Sequence, residues 1–158
     1  NGRINRSNMD YITKDSYDRL GSGKFKNGDI LFCLRGSLGK FGIVDADFGI
    51  GAVASSLIIV RNKLTSLCVG YLSTFFNSWL CEQMIEKWSG GAAQPNLGGQ
   101  DLAKFEILLP SLPEQTAIAT ILSDMDTEIA ALEQKRDKTR LLKQGMMQEL
   151  LTGRIRLI

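Results

Sequence analysis

Leu109-Pro110-Ser111-Leu112-Pro113-Glu114-Gln115, followed by an unbroken run to Leu151, decides how this chain folds. Ser111 and Glu114 stand in the spacing of a capping box, in which the serine caps a first-turn amide and the glutamate reaches back. Pro113 is harmless there, because first-turn amides have no intrahelical acceptor. No proline follows, and no glycine appears before Gly145. One helix is therefore expected over residues 114–151, roughly 57 Å long at about 1.5 Å per residue. Ile118, Leu122, Met125, Ile129 and Leu132 recur at alternating steps of four and three, the spacing of a coiled-coil seam. Leu142, Met146 and Leu150 resume the stripe beyond a polar middle of Arg136, Thr139 and Lys143. Gly145 costs the helix about 1 kcal/mol relative to alanine, which points to a tight backbone contact or a local break. So narrow a stripe wraps no globular core, and the helix needs a partner helix.

The 158 residues, 44% hydrophobic and 23% charged, suit one modest domain with a helical extension. The apolar runs at 30–34 and 57–60 are far shorter than the roughly 20 residues a bilayer helix needs. With no signal peptide in view, a cytoplasmic protein that does not engage a membrane is expected. The chain opens on Asn1, so the N-terminal part of its domain is expected to be incomplete. It holds no histidine, which removes Ser-His-Asp triads, Cys-His dyads and most catalytic zinc sites. Cys33, Cys68 and Cys81 lack C-x-x-C spacing and read as reduced, buried thiols.

The net charge is +2, unevenly spread: +4 over residues 1–40, −2 over 41–110 and zero over 111–158. A basic leading segment suits phosphate contact, although ordinary surface solvation produces the same excess. Polar residues 1–10 read as a loop from which Arg3 and Arg6 reach outward. Thr13 is the N-cap of a short helix, and residues 22–28 form a loop bearing Lys24 and Lys26. The apolar run 29–34 predicts a strand buried on both faces. It is joined to a second strand at 41–45 by Arg35-Gly36-Ser37-Leu38-Gly39-Lys40, the tip of a hairpin. That tip combines backbone amides, the Ser37 hydroxyl and two cations, chemistry suited to a phosphate or a guanine edge. A plain tight turn with snorkelling side chains uses the same residues.

A strand over 52–60 follows, and then one amphipathic helix over 67–88 with Ser66 as N-cap and Leu72, Phe75, Phe76, Trp79, Leu80, Met84 and Trp88 facing inward. Next comes Ser89-Gly90-Gly91-Ala92-Ala93-Gln94-Pro95-Asn96-Leu97-Gly98-Gly99, beside Lys87. Its glycines allow close approach, Gln94 and Asn96 carry amides able to pair with adenine, and no G-K-[ST] ending makes it a P-loop. Residues 104–109 alternate Phe105, Ile107 and Leu109 inward, as a last strand would.

Motifs that look catalytic do not hold together. Phe48-Gly49-Ile50-Gly51 fails the F-x-G-x-G pattern of methyl-donor sites, and Asp47-Phe48-Gly49 lacks every companion of the kinase triplet. Glu133-Gln134-Lys135 has nuclease spacing but lies on the long helix, where charge runs are solvated.

Gly28-Asp29-Ile30-Leu31 with residues 35–40, the 90–97 loop, residues 109–115, and Leu141-Leu142-Lys143-Gln144-Gly145-Met146-Met147-Gln148-Glu149-Leu150-Leu151-Thr152-Gly153-Arg154-Ile155 occur in that order. Together they resemble the specificity subunit of type I restriction-modification enzymes. The resemblance implies an α+β fold: a mixed α/β target recognition domain over 1–110, one long spacer helix over 111–152 pairing as an antiparallel coiled coil, and a tail at 153–158. It implies a subunit that reads half of a bipartite site in double-stranded DNA and docks methyltransferase and restriction subunits, without catalytic residues, cofactor or metal of its own. That family carries two recognition domains and two helices; this sequence has one of each, so the partner helix comes from a second copy or a second half.

The residue chemistry nominates Arg35, Ser37, Lys40, Gly90, Gly91, Gln94 and Asn96 for bases, and Arg3, Arg6, Lys24, Lys26 and Lys87 for phosphates. Ile118, Leu122, Met125, Ile129, Leu132, Leu142, Met146 and Leu150 form the helix-pairing interface. Two other readings compete: a coiled-coil adapter that binds protein, and a metal-dependent nuclease built on Asp45, Asp47 and Glu133.

Overall fold

The computed structural model describes residues 2, 4–7, 9–90 and 96–158. The side chain of Thr13 caps helix α1 (Lys14–Arg19), its hydroxyl accepting the Ser16 amide at 3.2 Å. Strand β1 (Lys24–Phe25) follows, then β2 (Ile30–Cys33) and β3 (Phe41–Ile43), a 3-10 turn over Ala46–Phe48, and strands β4 (Gly51–Ala52) and β5 (Leu57–Val60). Helices α2 (Val69–Phe76), α3 (Trp79–Trp88) and α4 (Gly99–Leu102) lead to the long α5 (Leu112–Leu151). The mixed α/β domain and the long terminal helix expected from the sequence are both present.

β2 is the centre of an antiparallel sheet ordered β3-β2-β5, with Ile30 opposite Ile43 on one side and Val60 on the other. Alternation sends its side chains to two faces. Ile30 and Phe32 pack with Phe41, Leu72, Phe75, Phe76, Cys81 and Leu97, while Leu31 packs with Phe25 and Val44. Fully burying side chains such as Ile30 and Phe32 contributes about 1.5–3 kcal/mol each. The second sheet pairs β1 with β4, where the Phe25 ring lies against Gly51 in the space a Cβ would need.

Four boundaries differ from the sequence expectation. The single helix over 67–88 is two, and it starts at Val69 after Cys68 rather than Ser66. Ser78 interrupts it: its hydroxyl donates to the Phe75 carbonyl at 2.6 Å and accepts the Cys81 amide at 3.4 Å, which restarts the helix with a new cap. The restart turns Cys81, Ile85 and Trp88 inward and leaves Trp79, nominated for the core, 63% exposed. The strand over 52–60 is likewise two, because the turn from Ala54 to Leu57 moves the chain from one sheet to the other. Lys24–Phe25, read as loop, is a strand. Residues 104–109 join no ladder: Phe105 and Ile107 do pack on the core, but Leu109 is exposed, and the Tyr71 hydroxyl holds the Leu108 carbonyl at 2.9 Å.

The chain divides into two compact units, Asn1–Ala117 and Ile118–Ile158. The first turn of α5 belongs to the first unit, and the bonds that hold it come from Gln115. This side chain has no exposure; its Oε1 accepts the Cys68 amide at 2.8 Å, and its Nε2 donates to the Ser66 and Pro110 carbonyls, each at 2.8 Å. The rest of α5 buries no residue of its own. The helix is unbroken at Gly145, where a Cβ would meet nothing within 4 Å, so neither a tight contact nor a break explains that glycine within one chain. It ends in a Schellman motif: Gly153 takes φ 71°, its amide donates to Leu150 at 3.2 Å, and the Arg154 amide donates to Glu149 at 3.0 Å.

Gln115→Leu keeps the side-chain volume and orphans three backbone groups. It is expected to destabilise the first unit by about 2–4 kcal/mol, read as a lower urea midpoint, and an unchanged midpoint would contradict the role given to this amide.

Candidate nucleic-acid interface

The hairpin between β2 and β3 tightens into its tip through backbone bonds. The Cys33 amide donates to Lys40 at 2.8 Å, Gly39 to Cys33 at 3.1 Å and Lys40 to Ser37 at 3.0 Å. Gly39 takes φ 80° and sits against the Ile85 side chain of α3, so the tip abuts the last turns of that helix. Leu38 packs into the core, leaving Arg35, Ser37 and Lys40 exposed. The glycine-rich loop leaves from Trp88 at the end of α3 and returns at Leu97, which is buried and donates its amide to the Leu34 carbonyl at 3.0 Å.

One end of β2 thus gathers six nominated residues: Arg35, Ser37 and Lys40 on the tip, Lys87 and Gly90 at the end of α3, and Asn96 where the loop rejoins. All six are exposed. Among the described residues, no carboxylate lies within ion-pair distance of Arg35 or Lys40. Arg3, Gly91 and Gln94 fall outside the described residues.

The other end of β2 holds the remaining candidates, of which Arg6 and Lys24 have their charged groups engaged inside the fold. Arg6 pairs with Asp45 at 2.6 Å, donates to the Asp47 carbonyl at 3.2 Å and lies 4.8 Å from the centre of the Phe48 ring. Lys24 donates to the Asp18 carbonyl at 3.1 Å and covers the Tyr17 ring. Lys26 is exposed, and its amide donates to Asp29 at 2.7 Å. Asp29 is itself buried and takes two bonds from Arg61, at 2.8 and 2.6 Å. Burial pushes the Asp29 carboxyl up, but the Arg61 bonds and the Lys26 amide outweigh it and hold the group below the usual carboxylate range.

Two of the three acids of the nuclease reading are engaged elsewhere. Asp45 is the partner of Arg6. Glu133 lies on α5 in the second unit, 3.9 Å from Arg136. Among the described residues no three carboxylates or thiols converge. Cys81 is buried, and burial with the nearby Glu82 pushes its thiol up to about 11; burial also raises Cys33, which like Cys68 is half-buried.

The family model for the type I restriction modification DNA specificity domain matches residues 2–141. The chain belongs to that family. A Methanocaldococcus jannaschii protein assigned as the MjaX type I restriction enzyme specificity subunit is 30% identical over 128 residues, covering 81% of this chain and 29% of that protein. The MjaVIII type I restriction enzyme specificity subunit of the same organism is 29% identical over 102 residues, 65% of this chain and 24% of that one. A chain from a structural study of the assembly and conformational transition of a type I restriction-modification system shares the fold at TM-score 0.65 and 20% identity, over 81% of this chain and 31% of that one. This specificity-domain chain therefore spans under a third of each of these three proteins.

In the second unit of the specificity-domain chain, Leu122, Met125, Ile129, Leu132, Leu142 and Met146 are exposed, and Ile118 and Leu150 are half-buried. In the polar middle Arg136 reaches Asp137 at 2.8 Å as well as Glu133, and the Thr139 hydroxyl donates to the Lys135 carbonyl at 2.9 Å. No described helix is long and apolar enough to cross a membrane. Sequence reasoning missed Gln115, Arg61 and Lys104. Their roles depend on partners 47, 32 and 3 residues away, and no local spacing announces the first two.

The depressed Asp29 gives a pH signature. Its contribution is present above the ordinary carboxylate pKa near 3.9 and is lost as pH falls through the lower folded-state value. The melting-temperature gap between wild type and Asp29→Asn should be wide at neutral pH and shrink below about pH 4. A gap independent of pH would contradict the pairing.

Proposed function

We propose that this chain is a non-catalytic recognition module that reads one half of a bipartite site in double-stranded DNA. Arg35, Ser37, Lys40, Gly90 and Asn96 face the bases, with Gly91 and Gln94 from the same loop, and Lys87 meets the flanking phosphates. The observation that carries this reading is the gathering of exposed, uncompensated cations and hydrogen-bonding groups at one end of β2 in a member of the DNA specificity family. Arg6, Lys24 and Lys26 lie at the opposite end, and their part is limited to the long-range field.

The domain is residues 1–110, the spacer helix 111–152 and the tail 153–158. The exposed seam of α5 pairs, antiparallel, with a second copy or a second half of a specificity subunit, placing two reading domains on one duplex. Methyltransferase and restriction subunits, implied by the resemblance to type I specificity subunits, supply the chemistry.

Fluorescence anisotropy on random-sequence duplexes across a salt series tests both parts. Affinity should fall with salt, and Lys87→Ala, which removes the proposed phosphate contact, should lower the slope of log affinity against log salt by about one, with Lys24→Ala/Lys26→Ala changing it little. Salt-independent binding, or the reverse ranking of the two variants, would sink the assignment. In the same preparations Leu122→Asp should convert a sedimenting dimer to monomer; a wild-type monomer would count against self-pairing.

A further inference from the structure

Trp88 closes α3, and its indole carries two ammonium groups. Lys87 Nζ lies 5.2 Å from the ring centroid and Lys104 Nζ 4.3 Å. Lys104 comes from the far side of the glycine-rich loop, beyond α4, and its ammonium also sits 2.7 Å from Asp101 Oδ1. Asp101 is the third residue of α4, the position from which a carboxylate meets the amide of the N-cap residue. Here that residue is Gly98, whose carbonyl accepts the Asp101 amide at 3.0 Å and whose missing Cβ would lie 2.8 Å from Asp101 Oδ2. A chain of contacts therefore runs from Trp88, before the loop, through Lys104 and Asp101 to Gly98, after it.

The lysine is spent on this chain. Its ammonium has a carboxylate and a ring as partners, and its side chain is half exposed. A lysine placed to meet phosphate would gain nothing from being held so. A lysine placed to tie two segments needs both contacts, and each segment carries one nominated base-reading residue, Gly90 or Asn96.

We propose that Lys104 is a positioning residue for DNA reading: it staples the two ends of the glycine-rich loop, so that Gly90 and Asn96 are presented at a fixed separation. The inference rests on the DNA reading above.

Lys104→Met keeps most of the apolar stem and removes the charge, while Lys104→Arg restores the ion pair and stacks on the indole. In hydrogen exchange on the whole chain without DNA, the bonded amides of Ser89 and Leu97 should exchange about fivefold faster in the Met variant and return to the wild-type rate in the Arg variant. In selection from a randomised duplex library, Lys104→Met should flatten base preference at one or two positions, leave the salt slope unchanged, and be rescued by Lys104→Arg. Wild-type exchange rates in the Met variant overturn the staple. A salt slope lowered by about one with base preference intact overturns it too, by making Lys104 a phosphate contact. Absence of salt-dependent binding by the wild type is a different failure, that of the DNA reading, and the exchange rates still decide whether the tie exists.

Discussion

A single buried amide, that of Gln115, joins the start of the long helix to the loops of the recognition unit. Both of its polar atoms are used, on three backbone groups that sit outside any ladder or helix. A buried amide is stable only when so satisfied, and its partners are orphaned when it is lost, which makes the contact all-or-none. The segment 104–109 has no strand pairing to hold it, so the approach to the helix relies on this amide, on the Tyr71 hydroxyl and on the packing of Phe105 and Ile107.

The sheet above that joint separates the cations into two kinds. At the Ile30 end, charges are matched inside the fold: Asp29 with Arg61, Asp45 with Arg6. At the Cys33 end Arg35 and Lys40 have no carboxylate partner among the described residues, and the tip and both loop ends meet there because Gly39 lets the hairpin lie on Ile85 and Leu97 bonds to Leu34. An ion pair already made is worth little to an incoming phosphate, which must displace the carboxylate first. Arg6 and Arg35, one at each end, are therefore unequal in what they offer to DNA.

Much of this was legible from residue order alone. The apolar run at 30–34, the glycine-bearing tip, and the long run without glycine or proline behind Ser111 each carry a periodicity that one physical rule reads. The splits in the 67–88 helix and the 52–60 strand were not legible. In each case a short polar step, Asn77-Ser78 or Ser55-Ser56, fits inside a continuous pattern, and only packing shows that the chain changes face or sheet. For the site, composition nominated cations at both ends of β2 and could not sort them. Arg6 and Arg35 look alike in sequence, and what separates them is Asp45, a residue 39 positions from Arg6. Gln115 carries no spacing signal: the capping-box spacing marks Ser111 and Glu114, whereas the side-chain bonds that tie the helix start to the loops are those of the next residue along.

The exposed seam and the cations of the hairpin tip are the features on which the proposed division of labour rests, a module that reads DNA while other chains act on it. The most direct measurement is photo-crosslinking to duplex DNA from a benzophenone side chain placed at Ser37, on the tip, or at Asn27, in the exposed loop at the opposite end of β2. Crosslinks from position 37 with none from position 27 are the expected result. Crosslinks from position 27 with position 37 silent would contradict the assignment of the reading surface.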